Sequence, residues 1–190
     1  MNSIIRPAIV LLLILTVITG VIYPAVVTGV AQLVFPSQAA GSIVTNGGKA
    51  IGSRLIGQSF SDPKYFWSRP SATAPQPYNG LASAGSNQGP LNPALTDAVK
   101  ARVEALRAAD PANKDPVPVD LVTASGSGLD PDISVAAAHY QAGRVARVRG
   151  IAPDTVKSLI ASHTQGKILG IIGEPRVNVL ELNLALDALK

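Results

Sequence analysis

The 190-residue chain has no cysteine, which excludes disulfides and thiolate metal sites together. Its two histidines, His139 and His163, stand far apart and in no ligand spacing, so a histidine metal centre is not expected. A phosphate-cradling loop is missing too. Gly47-Gly48-Lys49-Ala50 lacks both the leading glycine and the hydroxyl that such a loop requires. Gly-x-Ser-x-Gly does not occur: residues 124–128 read Ala-Ser-Gly-Ser-Gly. The basic residues are scattered apart from Arg144, Arg147 and Arg149, with no stripe interleaved with aromatics, which argues against nucleic acid. No internal repeat is present. The last absence is charge itself. Residues 8–34 carry none, with Thr16, Thr19, Thr28 and Gln32 as polar interruptions.

What is there follows from that gap. A helix over 8–34 would rise roughly 40 Å against a hydrocarbon core of about 30 Å, enough to cross a bilayer with some tilt. A cleaved signal needs an apolar stretch of only about 7–15 residues. Ser37-Gln38-Ala39 would serve as its cleavage site, but the run is about twice too long, so a retained anchor is expected. A buried core helix fits worse, because so small a chain could hardly surround it. All 12 acids and every basic residue except Arg6 lie beyond Pro36. Arg6 and the terminal amine make residues 1–7 the cytoplasmic tail by the positive-inside rule. Residues 37–190 then form a domain on the outer side. Within the span, Gly20, Pro24 and Gly29, with Tyr23 beside the proline, are read as one face for a partner helix.

The outer domain is expected to be α+β, with short strands and about four helices. Residues 42–44 and 49–51 flank Asn46-Gly47 as a hairpin, with 54–57 as a further strand. Six prolines between 61 and 93 forbid helix or central strand there. Yet that stretch holds Tyr65, Phe66, Trp67 and Tyr78, half the aromatics of the chain, so it reads as a long ordered loop rather than a disordered linker. Asn92-Pro93 opens a helix with Leu95, Val99, Val103 and Leu106 on one face. Residues 117–123 alternate as a strand. Ser134 caps a helix ending at Gly150, Pro153 opens another, residues 168–172 suggest a strand, and Asn178 caps the last helix, with Leu182, Leu186 and Leu189 inward.

The Ser/Gly loop 124–130 admits two readings. Its glycine amides could face an anion, and a serine could act as nucleophile beside a base. Alternatively it is a turn between strand and capped helix, with Asp130 and Asp132 as turn formers, and this structural reading is the simpler. The two aspartates would also raise local cation concentration near a pore mouth. Other possibilities are an independent anchored enzyme using Ser125 or Ser127, and a cleaved periplasmic binding protein.

Several short motifs follow one another along the chain. They are Arg6-Pro7-Ala8, Thr19-Gly20-Val21-Ile22-Tyr23-Pro24, Phe35-Pro36-Ser37-Gln38-Ala39, Leu55-Ile56-Gly57-Gln58 and Arg69-Pro70-Ser71-Ala72-Thr73. Pro77-Tyr78-Asn79, Gly85-Ser86-Asn87, Leu121 to Asp130, Ile133-Ser134, Val177-Asn178 and Glu181 to Asp187 follow. In order and spacing the chain resembles the C subunit of the bacterial Kdp potassium-transporting P-type ATPase, nearly end to end. The resemblance implies a small single-pass subunit of the inner membrane, accompanying a channel-like potassium-translocating subunit and a P-type ATPase subunit. It implies a non-catalytic role in assembly and activity, with phosphorylation on a partner and ATP, Mg and K used by the complex. No cofactor or metal is expected on this chain itself. Nucleotide binding at the Ser/Gly loop has been entertained for the family, but an outer domain cannot meet cytoplasmic ATP. The expected partner contacts are Gly20, Tyr23, Pro24 and Gly29 in the membrane. In the outer loops at 61–90 and 124–132 they are Arg69, Pro70, Ser71, Tyr78, Asn87, Ser125, Ser127 and Asp130.

Overall fold

A computed structural model describes residues 2–189, which divide into two compact units at Ile51 and Gly52. The first unit is dominated by one continuous apolar helical stretch: α1 (Asn2–Val17), a wide π-turn (Ile18–Ile22) and α2 (Tyr23–Val34). Residues Ile4–Val34 are long and apolar enough to cross a membrane. The π-turn sits where the sequence demands it. Pro24 has no N–H to give the carbonyl four residues back, and its ring would crowd that carbonyl in a regular turn. The wider turn, closed by Tyr23 N–H on the Ile18 carbonyl, makes room. Thr19 Oγ1 donates to the Leu15 carbonyl (2.7 Å), so its hydroxyl is satisfied within the helix. A one-turn α3 (Pro36–Ala39) follows, then the hairpin of β1 (Ile43–Asn46) and β2 (Lys49–Ser53). The hairpin turns on Gly47 and Gly48, both with positive φ.

The second unit is the α+β region. Its helices are α4 (Pro93–Ala109), α5 (Val135–Arg149), α6 (Pro153–His163) and α7 (Val179–Ala188). They begin where the sequence places them. Asn92, Ser134 and Asn178 each accept a backbone N–H of the first turn, from Ala94, Ala137 and Glu181 respectively. Gly150, at φ 66°, ends α5 in a left-handed cap. Three short strands, β3 (Asp132–Ser134), β4 (Thr164–Gln165) and β5 (Arg176–Asn178), form an antiparallel sheet in the order β3-β5-β4. Ile133 pairs with Val177, and both are buried. The core gathers α5, α6 and α7 against this sheet. Ala137, Ala138, Val145, Val156, Ile160, Val177, Leu182 and Leu186 are all sealed from solvent. The run of alanines on α5 lets its neighbours come close.

Four expectations need correction. Residues 117–123 are not a strand: Val119–Leu121 is a 3-10 turn. Pro116 and Pro118 remove ladder donors there, and Leu121 and Val122 are buried side by side rather than alternating. Residues 54–57 form a turn closed by a single Ser53–Ile56 bridge, and 168–172 a turn closed by an Ile168–Ile172 bridge. Leu189 lies just past α7 and is partly exposed, so it does not extend the inward stripe of Leu182 and Leu186.

Candidate functional site

The proline-rich segment 61–92 has no regular structure, yet much of it is fixed by hydrogen bonds. Its aromatic start is clamped from the helices. Phe66 has its ring fully buried, while its N–H donates to Asn183 Oδ1 (2.9 Å) and its carbonyl accepts from Asn183 Nδ2 (3.0 Å). Trp67 makes the same double contact with Gln141 (2.8 and 3.1 Å). Two side-chain amides thus stand in for a neighbouring strand, which a segment flanked by prolines could not keep. Arg144 completes the clamp. Its buried guanidinium donates to the carbonyls of Pro63 and Tyr65 and to Gln141 Oε1, and stacks over the Trp67 ring at 4.6 Å. Burial pushes its pKa down to about 10, still far enough up to keep it charged at neutral pH.

The other two arginines of the sequence cluster are also committed internally. Arg147 pairs with Asp110 (2.7 Å) and Arg149 with Asp187 (2.6 Å), the latter also lying over the Tyr65 ring. Sequence reasoning noted the cluster and missed the clamp. The available signal was Gln141 and Arg144, one helical turn apart on the alanine-rich face of α5, where polar side chains must find a partner.

Beyond Trp67 the loop folds onto residues 124–130, and the predicted outer-site residues come together there. Ser71 is the hub. Its Oγ donates to the Gly128 carbonyl (2.7 Å) and accepts from the N–H of Tyr78 (2.9 Å) and of Thr73 (3.3 Å). Tyr78 turns back so that its hydroxyl donates to the Arg69 carbonyl, and burial pushes its pKa up. The Pro70 carbonyl accepts the Ser125 N–H (3.2 Å), and the Ser127 carbonyl accepts both Ala84 N–H (3.0 Å) and Ser83 Oγ (2.9 Å). Gly128, at φ 67°, is required: a Cβ there would lie 2.5 Å from Thr73 Cγ2 and 2.6 Å from the Ala84 carbonyl. Gly57 is equally tight, its Cβ position meeting the Tyr78 ring at 2.4 Å. Asn87 adopts a positive φ of 52°, which asparagine tolerates.

The serines of the Ser/Gly loop are spent within it. Ser125, buried, accepts from Gly128 N–H (2.8 Å), and Ser127 Oγ accepts from Leu129 N–H (3.1 Å). The amides of Gly128 and Leu129 are therefore already bound to hydroxyls. Asp130 pairs with Arg69 (3.0 Å), while Arg69 Nε is buried without a hydrogen-bond partner. These two open onto a cleft of about 280 Å³ that Asp120, Asp132, Glu174 and Arg176 also line. Asp132 pairs with Arg176 (2.9 Å), and Asp120 accepts from Ser134 N–H (2.7 Å). Burial raises the pKa of Asp132, with Arg176 opposing. Among the described residues no group of three or more histidines and acids is placed to hold a metal ion.

Two leucines project from this assembly. Leu81 sits on a turn closed by Asn79, whose Oδ1 accepts the Leu81 N–H (3.1 Å), and is 99% exposed. Leu91, before the Asn92 cap, is 95% exposed. In the apolar helix, a Cβ at Gly20 or Gly29 would meet nothing within 4 Å.

One apolar membrane-length helix and a small α+β domain, whose longest loop is built as a fixed surface, define the class. Over residues 5–188 the chain matches the family described as the K+-transporting ATPase, c chain. It is 70% identical over 188 residues to the potassium-transporting ATPase KdpC subunit of Variovorax paradoxus, covering 99% of this chain and 97% of that one. The KdpC subunits of Polaromonas naphthalenivorans and Dechloromonas aromatica are 65% and 61% identical. The first match covers 100% of this chain and 97% of its relative, the second 99% and 98%. The chain belongs to this family of potassium-transporting ATPase subunits.

Proposed function

We propose that this chain is the non-catalytic accessory subunit of an ATP-driven potassium uptake complex, holding together a channel-like subunit and a P-type ATPase subunit. Residues 8–34 anchor it in the inner membrane, 1–7 remain cytoplasmic and 37–190 lie outside. ATP, Mg and K act on the partner subunits. The observation that carries this reading is the two-loop surface. Its serine hydroxyls and the amides of Gly128 and Leu129 are engaged in fixing its own shape. What it offers outward is a rigid contour with Leu81 and Leu91 exposed. Such a surface suits docking to a partner better than bond chemistry, since exposed apolar side chains on a preformed scaffold lose little entropy on binding. Arg69, Pro70, Ser71, Tyr78, Asn87, Ser125, Ser127 and Asp130 serve that contour. Ser125, being buried, serves it from beneath. In the membrane, Gly20, Tyr23, Pro24 and Gly29 meet a partner helix.

The test is potassium-stimulated ATPase activity of the partner subunits purified with and without this chain. Activity and complex integrity are both expected to collapse without it. Partners that assemble and turn over normally alone would refute the accessory role. In the same preparation, Gly20→Leu and Gly29→Leu made separately should each reduce co-purification; undiminished recovery removes that glycine from the contact.

A further inference from the structure

One feature of the second unit has no place in the docking surface. Between β4 and β5 the chain forms a small hairpin whose tip is almost wholly aliphatic. Ile168, Leu169, Ile171 and Ile172 are 57%, 85%, 79% and 56% exposed. No polar side chain interrupts residues 168–173. Solvent-facing turns ordinarily use asparagine, aspartate or glycine where φ is positive. Here Leu169 holds φ 54° beside Gly170 at 77°, so a leucine occupies a strained position and points outward.

The backbone of the tip is closed on itself. Ile168 and Ile172 exchange both of their N–H to carbonyl bonds (2.9 and 3.0 Å). Gly170 N–H bonds the Lys167 carbonyl (3.1 Å) and Ile171 N–H the Ile168 carbonyl (3.2 Å). A peptide turn entering hydrocarbon must satisfy its polar groups internally, and this one has gone far toward that. Its base carries Lys167, paired with Glu174 (3.3 Å), and Arg176, paired with Asp132 (2.9 Å). Long basic side chains at such a base can reach headgroups while their stems stay apolar.

Gly173 is five residues from Asn178, at most about 18 Å of chain. Asn178 Nδ2 donates to the Arg54 carbonyl (3.0 Å), and Arg54 also pairs with Glu181 (2.5 Å). Arg54 lies just beyond β2, at the start of the second unit, where the chain arrives from the apolar helix. The tip is thus joined through β5 to Arg54, among the first residues of the second unit.

We propose that the 168–173 tip inserts into the lipid bilayer that holds the apolar helix, as a second, shallow membrane contact of the domain. The occupant is lipid. The contact is driven by aliphatic burial, since the basic residues at its base already have acidic partners. It rests on the anchor reading, and the experiment keeps the two apart.

The absence of cysteine makes labelling clean. Leu169→Cys, Ile171→Cys and, as a control on the exposed side of α4, Lys100→Cys carry an environment-sensitive fluorophore in the full chain. Each is reconstituted into phosphatidylcholine vesicles, with circular dichroism checking the fold. The labels at 169 and 171 should emit to the blue, be protected from iodide, and lose fluorescence when shallowly brominated lipid replaces ordinary lipid. The label at 100 should do none of these. The effect should persist in raised salt and without anionic lipid. Labels at 169 and 171 open to iodide, in a chain that floats with the vesicles, overturn insertion while leaving the anchor intact. Quenching only with anionic lipid overturns the aliphatic mechanism. Protection that arises only with the partner subunits, without quenching by brominated lipid, assigns the tip to protein and overturns the proposal. A chain that does not float with vesicles at all overturns the anchor reading, and insertion with it.

Discussion

The helical core and the two-loop surface of the second unit are ordered by different forces. In the core, α5, α6 and α7 close over β3 and β5 by burying aliphatic side chains, a non-directional attraction of about 25 cal/mol per Å². The loop surface buries little that is apolar. Its interior holds Thr73 and Ser125, and its shape comes from directed bonds to Ser71, Ser127 and Gly128. A core tolerates exchange of one hydrophobe for another of similar volume. A lattice of short bonds around glycines that admit no Cβ tolerates much less. Phe66 joins the two, its ring in the core and its backbone held on both sides by Asn183.

Phe66→Ala gives the largest separation of these roles. It empties a fully buried site at the junction and should cost about 3–5 kcal/mol. Both regions should suffer, with a lowered thermal midpoint by circular dichroism and lost hydrogen-exchange protection in α5 and α7 as well as in 69–90. Protection lost in the loops alone would show that the core does not depend on this ring.

Ser71→Ala sharpens the contrast from the other side. One oxygen is removed from the centre of the loop surface, leaving the N–H groups of Tyr78 and Thr73 without their acceptor. The expected cost is about 1–3 kcal/mol. It should be local: hydrogen exchange rises through 69–90 and 124–130, while α5, α6 and α7 keep their protection. Co-purification with the partner subunits should weaken in proportion. A global loss of protection would mean that loop and core form one cooperative unit.

The same contrast explains what could be read in the chain. The apolar helix and all four helices of the second unit carry strong local signals: uncharged length, capping Asn92, Ser134 and Asn178, and the stop at Gly150. The order of the 61–93 loop was also legible, because prolines forbade regular structure while aromatics argued against disorder. Strands of two or three residues were not. β3 and β5 exist because Ile133 and Val177 meet across the core, a long-range pairing that no local alternation announces. Val117 and Val119 alternate well, yet their prolines and the bond from Ser134 N–H to Asp120 settle a turn instead. The hub role of Ser71 was invisible for the same reason, since its partners lie up to 57 positions away.

The smallest expected effect tests the charged cleft between the two regions. Asp132 begins β3, faces Arg176 and Asp130, and accepts from Asn178 Nδ2 (3.3 Å). Burial outweighs Arg176, so its pKa in the folded chain lies above the ordinary aspartate range. The folded state therefore favours the protonated form. Its contribution to stability is full below the unfolded pKa, near 4, and is lost as pH rises through the higher folded value. Asp132→Asn, neutral at every pH, keeps an acceptor for Asn178 and removes that loss. The difference in thermal midpoint, variant minus parent, should thus move in the variant's favour between the most acidic pH at which both fold and pH 7. A difference that moves the other way would mean that the pair with Arg176 prevails over burial, and that the cleft stabilises its own charge.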